Sequence, residues 1–374
     1  MIIKNNKLIL YLFFISILFS GTTCLLETGN PDELNAKEFA ETTDNSAVLY
    51  LSDTGQSLCA SGPLAQGAML NCDNSEVTVK GQDGHYIDTP APFNETMSLS
   101  GEVINDLTMG LSWQRVSGGQ SFTGLTAVET NSPLFTKIEA ANYCSSLNTD
   151  GLSWRLPEIY ELLLLSNYSL TNPAIDTSLF VGPYGSSEEA FYWSNTSFGD
   201  MNSWTLNLQT GKNQAVDNNT QQYVKCVSQS LPARQDYQEN GDGTISDYAS
   251  GIIFMKCPAG TIVDYNTTNY CNGEKTLSTW VEALSFCENL NYAGNTNWRL
   301  PSIRELSSMI DFSSEAVTSL SKLMFPAAAG SFWSSTTNVN STSEAWQVNF
   351  STKELSTSLK NTPSNIQCVT NLNN

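Results

Sequence analysis

Apolar and polar positions along this chain fall into a series of short periodic blocks, and the series occurs twice. Around residues 102–106 and 110–114, β-forming residues flank a polar, glycine-bearing turn, and the pattern returns at 243–247 and 251–255. Each predicts a hairpin at one edge of a small sheet. Helical spacing comes next. Ile138, Ala141, Cys144 and Leu147 recur every third residue, as do Val281, Leu284, Cys287 and Leu290. Each set predicts a helix with an apolar stripe that turns its cysteine towards the core. Thr136-x-x-Glu139 and Thr279-x-x-Glu282 stand at the heads of these helices as capping boxes, in which the threonine oxygen accepts from the third N–H and the glutamate reaches back. A second helix is expected over residues 157–165 and 301–310, with Pro157 and Pro301 at its first position, where a missing N–H is harmless. Alternation of period two then marks residues 203–208 and 345–350 as strands with one buried face. Closing strands follow at 223–227 and 366–369.

The matching blocks share landmarks at a nearly constant offset. Trp154-Arg155-Leu156-Pro157 recurs as Trp298-Arg299-Leu300-Pro301, 144 residues later. Cys144 answers to Cys287, Trp193-Ser194 to Trp333-Ser334, Trp204 to Trp346 and Cys226-Val227 to Cys368-Val369, with offsets of 140 to 143. So long a period means tandem domains, because solenoid repeats run about 20–50 residues. The chain is expected to divide into a signal peptide (1–23), an acidic tether (24–50), a lead-in segment carrying Cys59 and Cys72 (51–100), a first module (101–230) and a second module (236–370).

The first residues read as an export signal: Lys4 and Lys7 precede the 12-residue stretch 8–19, apolar but for Ser16 and too short for the ~20 of a membrane span. Small and polar residues lead to Cys24, loosely matching the site at which a bacterial lipoprotein is acylated, so Cys24 is the expected lipidation residue. Parity agrees. Of nine cysteines, Cys24 is the odd one, and an exported chain with eight others reads as a disulfide framework. Equivalent cysteines should have equivalent partners, which pairs Cys144 with Cys226 and Cys287 with Cys368; Cys59, Cys72, Cys257 and Cys271 are left as two local pairs. Closing a loop of about 80 residues contributes roughly 4–5 kcal/mol in the chain-entropy view.

Composition narrows the chemistry. Without Lys4 and Lys7 the 17 basic residues become 15 against 37 acidic ones, a net charge of −22. That field opposes nucleic acid, anionic lipid and sulfated glycan. The one histidine, His85, lies outside both repeats, in what reads as an exposed loop, so no histidine-dependent nucleophile is expected. No C-x-x-C occurs and no metal or cofactor is expected. Asn240-Gly241-Asp242-Gly243 has the look of a calcium loop but falls short of the twelve-residue pattern and reads as a turn.

These residues resemble one family. Gly110-Leu111-Ser112-Trp113-Gln114, Trp280-Val281-Glu282-Ala283 ahead of Cys287, Trp298-Arg299-Leu300-Pro301 with Glu305-Leu306, and Phe332-Trp333-Ser334-Ser335-Thr336 are similar to the motifs of the domain at the C-terminus of the Legionella collagen-like adhesin, the Lcl C-terminal domain family. The resemblance covers residues from about 50 to 370. It implies an α+β fold of tandem C-type lectin-like modules, each a small, mostly antiparallel sheet with two helices and a closing disulfide. It also implies an extracytoplasmic habit and little chemistry. The calcium-lectin signatures Glu-Pro-Asn, Gln-Pro-Asp and Trp-Asn-Asp are absent. The Trp-Arg-Leu-Pro turn is also similar to one in formylglycine-generating oxidases, which need a reactive cysteine pair at a surface groove.

The candidate ligand contacts are Arg155 and Arg299, whose guanidinium forks suit a carboxylate or sugar, and Trp193 and Trp333, whose rings could stack on one. Against them stands a structural reading: arginine paired with Glu161 or Glu305, and tryptophan packed in a core. The functional expectation is a cell-envelope surface binding or adhesion protein, not an enzyme. It would meet an unknown extracellular glycan or protein through loops at 170–190 and 315–330 that differ between copies, and touch the membrane only through Cys24. The alternatives are a structural envelope lipoprotein without a small ligand and, third, an oxidase-like enzyme.

Overall fold

The computed structural model describes residues 51–87, 94–122, 132–170, 172–184, 190–229, 236–267, 270–313 and 323–372. The signal and tether, Cys24, residues 171 and 185–189 of one loop and 314–322 of the other lie outside them. In the lead-in, β1 (Leu58–Ala60) pairs antiparallel with β2 (Met69–Asn71), and the Cys59–Cys72 disulfide joins them.

The first module is α+β, with mostly antiparallel sheets. β3 (Glu95–Met97), β4 (Val103–Asp106) and β5 (Leu111–Gln114) form a meander, followed by α1 (Lys137–Ser146), the short β6 (Trp154–Arg155) and α2 (Ile159–Leu164). β7 (Phe191–Phe198), β8 (Asn202–Asn207) and β9 (Asn213–Asp217) make a second sheet, and β10 (Val227–Ser228) returns between β5 and β6. The second module repeats this order: β11 (Tyr237–Glu239), β12 (Thr244–Asp247) and β13 (Ile252–Met255), a hairpin of β14 (Ile262–Val263) and β15 (Cys271–Asn272), α3 (Trp280–Glu288), α4 (Ile303–Ser308), a sheet of β16 (Ser331–Thr337), β17 (Glu344–Asn349) and β18 (Glu354–Leu359), and β19 (Val369–Asn371) beside β13. Disulfides Cys144–Cys226 and Cys287–Cys368 staple the first helix of each module to its last strand, and Cys257–Cys271 ties the β14–β15 hairpin. Both threonine capping boxes form.

Four local expectations change. The early hairpins lie inside their sheets, because β3 and β11 cover the outer edge, and β3 puts the start of the first module's sheet ahead of residue 101. Pro157 and Pro301 precede the second helix instead of opening it. Glu158 and Ser302 are the N-caps, and the proline carbonyls accept from Asn195 N and Ser335 N, both at 2.7 Å. In α1 the buried face runs through Ala140 and Cys144, leaving Ile138 71% exposed, since only positions four apart meet the sheet. Ser203, Thr205 and Asn207 of β8 are buried as well as Trp204 and Leu206, so that strand is covered on both faces. Its hydroxyls are satisfied locally, Ser203 by Asn218 Oδ1 and Thr205 by the Gln214 carbonyl.

The two modules share one core. A single cluster of buried side chains runs from Trp113, Ile159 and Leu206 of the first through Phe254, Ile303 and Val348 of the second. Packing across the junction is reciprocal. Trp204 meets Phe312 edge-on with ring centres 5.3 Å apart, and its counterpart Trp346 meets Tyr168 in the same way at 5.0 Å. Tyr168 and Phe312 stand at matching positions, so the junction is close to two-fold symmetric, as in a homodimer whose halves are covalently joined. Gly211 is required here. Its φ is +75°, and a Cβ would lie 3.2 Å from the Tyr168 ring and 3.4 Å from Trp346. The Asn213 carboxamide completes the seam by giving Nδ2–H to the Lys353 carbonyl and accepting from Leu355 N, thereby linking edge strands β9 and β18. Arg304 of α4 is buried, bonds Ser52 and donates to the Leu164 carbonyl at the end of α2, where the helix dipole favours a cation.

The lead-in seats mainly on the second module, and its Thr54 carbonyl also accepts from Tyr168 N of the first at 2.8 Å. Gln56 holds both backbone groups of Thr337 at 3.0 Å. Thr342 and Lys360 reach the carbonyls of Gln66 and Ala65, and Tyr86 bonds Glu288 while lying under the Arg299 guanidinium. Asp83 is buried at the centre and accepts from both Thr54 and Thr336 hydroxyls at 2.8 and 2.6 Å. Burial, then the neighbouring Asp53 carboxylate, pushes Asp83 up to about 7 against the pull of those hydroxyls.

Trp204→Ala and Trp346→Ala should each cost roughly 3–5 kcal/mol. In calorimetry both modules should still melt in one transition; two separate transitions, only one of them displaced, would contradict the shared core. Asp83 binds its proton more tightly folded than unfolded, so its contribution is complete at low pH and is lost as pH rises through about 7. Amide exchange over residues 54–86, corrected for intrinsic rates, should quicken between about pH 4 and 7, level off above that, and lose this response in Asp83→Asn. An unchanged response in the variant would remove Asp83 from the account.

Candidate functional site

The landmarks shared by both copies build the scaffold. Arg155 meets Glu161 through two hydrogen bonds of 2.7 and 2.6 Å, and Arg299 meets Glu305 through two of 2.6 Å. Of the two glutamate oxygens that receive each fork, Oε2 also accepts from the N-cap N–H, of Glu158 or Ser302, at 2.8 Å. One carboxylate therefore fixes both the strand end and the helix start. The Arg155 side chain is 33% exposed and that of Arg299 6%. Their forks are filled by protein carboxylates, and remaining donors go to Gln229 O and Asn371 Oδ1. Trp193 and Trp333 are fully buried and donate Nε1–H to Phe135 O and Ser278 O, so neither ring offers a face to a ligand.

The strand after the Trp-Arg-Leu-Pro helix is bulged in both modules, between Trp193 and Ser197 and between Trp333 and Thr337. The bulged Thr196 and Thr336 accept from the first helical N–H of α2 and α4, Ile159 and Ile303, at 2.9 Å. Beside each bulge sits an ammonium, but it comes from different places. Lys137 of α1 bonds Ser197 and Ser203 hydroxyls at 3.1 and 2.6 Å. In the second module Trp280 replaces that lysine, and Lys360 enters from the strand end to bond Thr337 at 2.9 Å with its Nζ 3.9 Å above the Trp280 ring. Burial lowers Lys360 to about 7, as it does Lys225, whose ammonium is caged by the carbonyls of Gln114, Arg115 and Val116.

The other candidates are local. Asp242 of Asn240-Gly241-Asp242-Gly243 accepts from Thr244 N and Oγ1 as an ordinary turn. His85 is half-buried in a one-turn 3-10 helix, not an exposed loop, with Nδ1 3.2 Å from both the Cys59 sulfur and the Gln82 carbonyl. Cys59, Cys72 and His85 are the one cluster of metal-ligating types among the described residues, and both sulfurs are committed to a disulfide. All eight described cysteines are bonded.

The second module carries an open pocket of about 600 Å³, lined by Thr261, Cys271, Gly273, Glu274, Lys275, Leu277, Pro326, Ala327, Ala329 and Asn365. Its walls are the β14–β15 hairpin and the segment before β16, part of the loop at 315–330 expected to carry recognition. Lys275 donates to the Ala329 carbonyl at 2.6 Å, and partial burial lowers its pKa. Asn365 is 6% exposed; its Nδ2 bonds the Ser331 carbonyl at 2.7 Å while its Oδ1 has no partner. In the first module the same position, after a matching parallel bridge, is Tyr223, whose ring packs on Tyr192. Sequence reasoning did not select Asn365 or Lys275. The available signal was the exchange of an aromatic for a carboxamide at a matched core position. Shallow grooves of about 590 and 620 Å³ also lie over the outer faces of α1 and α3, around Tyr143 and Phe286.

Arg299→Ala leaves the buried Glu305 carboxylate unpaired and should cost about 3–5 kcal/mol. Arg155→Ala, at a partly solvated fork, should cost less. Denaturant titration checks both, and an Arg299→Ala protein as stable as the parent would deny the fork its role.

The Lcl C-terminal domain model matches residues 102–228 and 243–370. No curated protein matches the chain. The two family matches span more than half of the sequence and coincide with the two modules: the chain belongs to the Lcl C-terminal domain family.

Proposed function

We propose that this tandem member of the Lcl C-terminal domain family is an exported surface-binding or adhesion protein, its modules C-type lectin-like. One observation carries the reading: the residues matched between copies are consumed by architecture, whereas the 600 Å³ cavity is walled by segments in which the copies differ. A fixed scaffold with divergent loops is how binding modules acquire partners. The disulfide framework supports an oxidising compartment, and the net charge of −20 supports a neutral or cationic partner. Among the described residues no helix is long and apolar enough to cross a membrane, so attachment would fall to Cys24 and its lipid.

A catalytic role draws no support from the cysteines, since the eight described are all bonded. The structural-lipoprotein alternative predicts no ligand at all. Protease treatment of intact cells should digest the chain if it is displayed outward, and mass analysis of the mature N-terminus should find acylated Cys24. An array of glycans and matrix proteins should return a salt-tolerant binder. Protection from protease together with a blank array would leave the structural alternative in possession.

A further inference from the structure

We infer that the outer faces of α1 and α3 carry two equivalent docking grooves for an amphipathic, lysine- or arginine-bearing segment of another protein. The inference rests on the surface-binding reading above and names the chemistry of the partner.

The landmarks identical in both copies are spent on the scaffold. A second set is matched without being identical, and it faces outward. Leu134, Ile138 and Tyr143 of the first module stand at the positions of Leu277, Val281 and Phe286 in the second, each pair 143 residues apart. Leu134 is 44% exposed, Ile138 71% and Leu277 60%, while Val281, Tyr143 and Phe286 are only partly buried. Single exposed apolar residues are ordinary on a protein surface. The same helix face left apolar in both copies is not, because neighbouring positions have diverged freely: Lys137 answers to Trp280 and Tyr223 to Asn365. Nor do the leucines serve the helix start. Each lies two residues before the N-cap threonine, whereas a hydrophobic staple uses the residue next to it.

In each groove the apolar wall meets one charge. Tyr143 is held by Gln114, which donates to its hydroxyl at 2.9 Å, and its ring centre lies 5.3 Å from that of Phe135. Glu139 lines this groove and Glu282 the other. Both side chains are exposed, and each gives Oε2 to its capping box. The Thr136 N–H and hydroxyl hold the Glu139 carboxyl below its usual range, and the Thr279 hydroxyl and N–H do the same for Glu282. Among the described residues no lysine or arginine lines either groove. An ionised carboxylate beside an aromatic ring attracts a cation, and the aliphatic wall attracts apolar anchors. A basic amphipathic helix presents both on adjoining faces. The grooves are shallow, at about 590 and 620 Å³, which suits a segment lying across them. Apolar contact supplies most of the grip, and the carboxylate selects the sign of the partner. The net charge of −20 acts in the same sense and opposes a second copy of this chain.

The test titrates the full chain, by calorimetry, with a peptide of leucine and lysine patterned as an amphipathic helix. Two peptides should bind per chain. Asn142→Lys and Ser285→Lys each place a like charge at an exposed, matched position of one groove and should leave one site apiece. Together they should weaken binding at least roughly tenfold, with the melting transition unmoved. Thr352→Lys adds the same charge in the exposed β17–β18 turn and should keep both sites. Ser146→Lys and Asn291→Lys repeat the test if either groove variant fails to fold. A leucine–glutamate peptide and a serine–lysine peptide should both bind at least roughly tenfold more weakly. Equal binding of either control peptide, undiminished binding in the double variant, or no binding of the leucine–lysine peptide would overturn the inference. So would self-association of the chain, or its adsorption to phosphatidylcholine vesicles, that vanishes in the double variant while the peptide fails; the grooves would then belong to a second copy or to a lipid surface. If the peptide fails while the array still returns a partner, the surface-binding reading stands and only this occupant falls.

Discussion

Everything in each module is registered against one buried carboxylate. Glu161 and Glu305 receive an arginine fork from the extended segment before them and the N-cap N–H of their own helix. A charge buried in this way is tolerable only while both demands are met, and that requirement makes the joint rigid. From it the order of the module follows. The arginine fixes the end of the strand, the proline carbonyl takes the bulged strand's N–H, and the bulged threonine returns a hydroxyl to the helix start. The disulfide then closes the first helix on the last strand.

Duplication let the copies solve the same local problem with different residues. A lysine amine bonds a hydroxyl beside the bulge, and it comes from Lys137 in one copy and from Lys360 in the other. The bulged threonine hydroxyl needs an acceptor. In the first module Glu158 of the same turn provides it; in the second it arrives from the lead-in as Asp83. Such exchanges keep the polar count satisfied inside a dense interior, where an orphaned group is expensive.

The parts legible in the sequence are those set by near neighbours. Capping boxes, the Trp-Arg-Leu-Pro turn and the helix-to-strand disulfides depend on spacing within one copy, and comparing the copies sharpened each. The docking of the modules was hidden. Trp204 and Trp346 read as core residues of their own modules, yet each meets an aromatic of the other, and alternation cannot say which body covers a buried face. The lead-in's destination was hidden for the same reason. Gln56 and Asp83 look like loop polars until Thr337 and Thr336, over 250 residues away, come to meet them. Ile138 misled because a three-residue spacing drifts around a helix of 3.6 residues per turn. The cavity went unseen because its defining residue is a departure from the repeat, and attention to matched positions selects against it.

The strap formed by residues 51–87 has a mechanical consequence. It is held at the junction, by Ser52 on Arg304 and Gln56 on Thr337 of the second module and by the Thr54 carbonyl on Tyr168 N of the first at 2.8 Å, so tension arriving along the chain from its N-terminal side is met by both modules together. A tethered protein pulled by flow would therefore load the seam between its two halves ahead of the strand β3 that opens the first sheet.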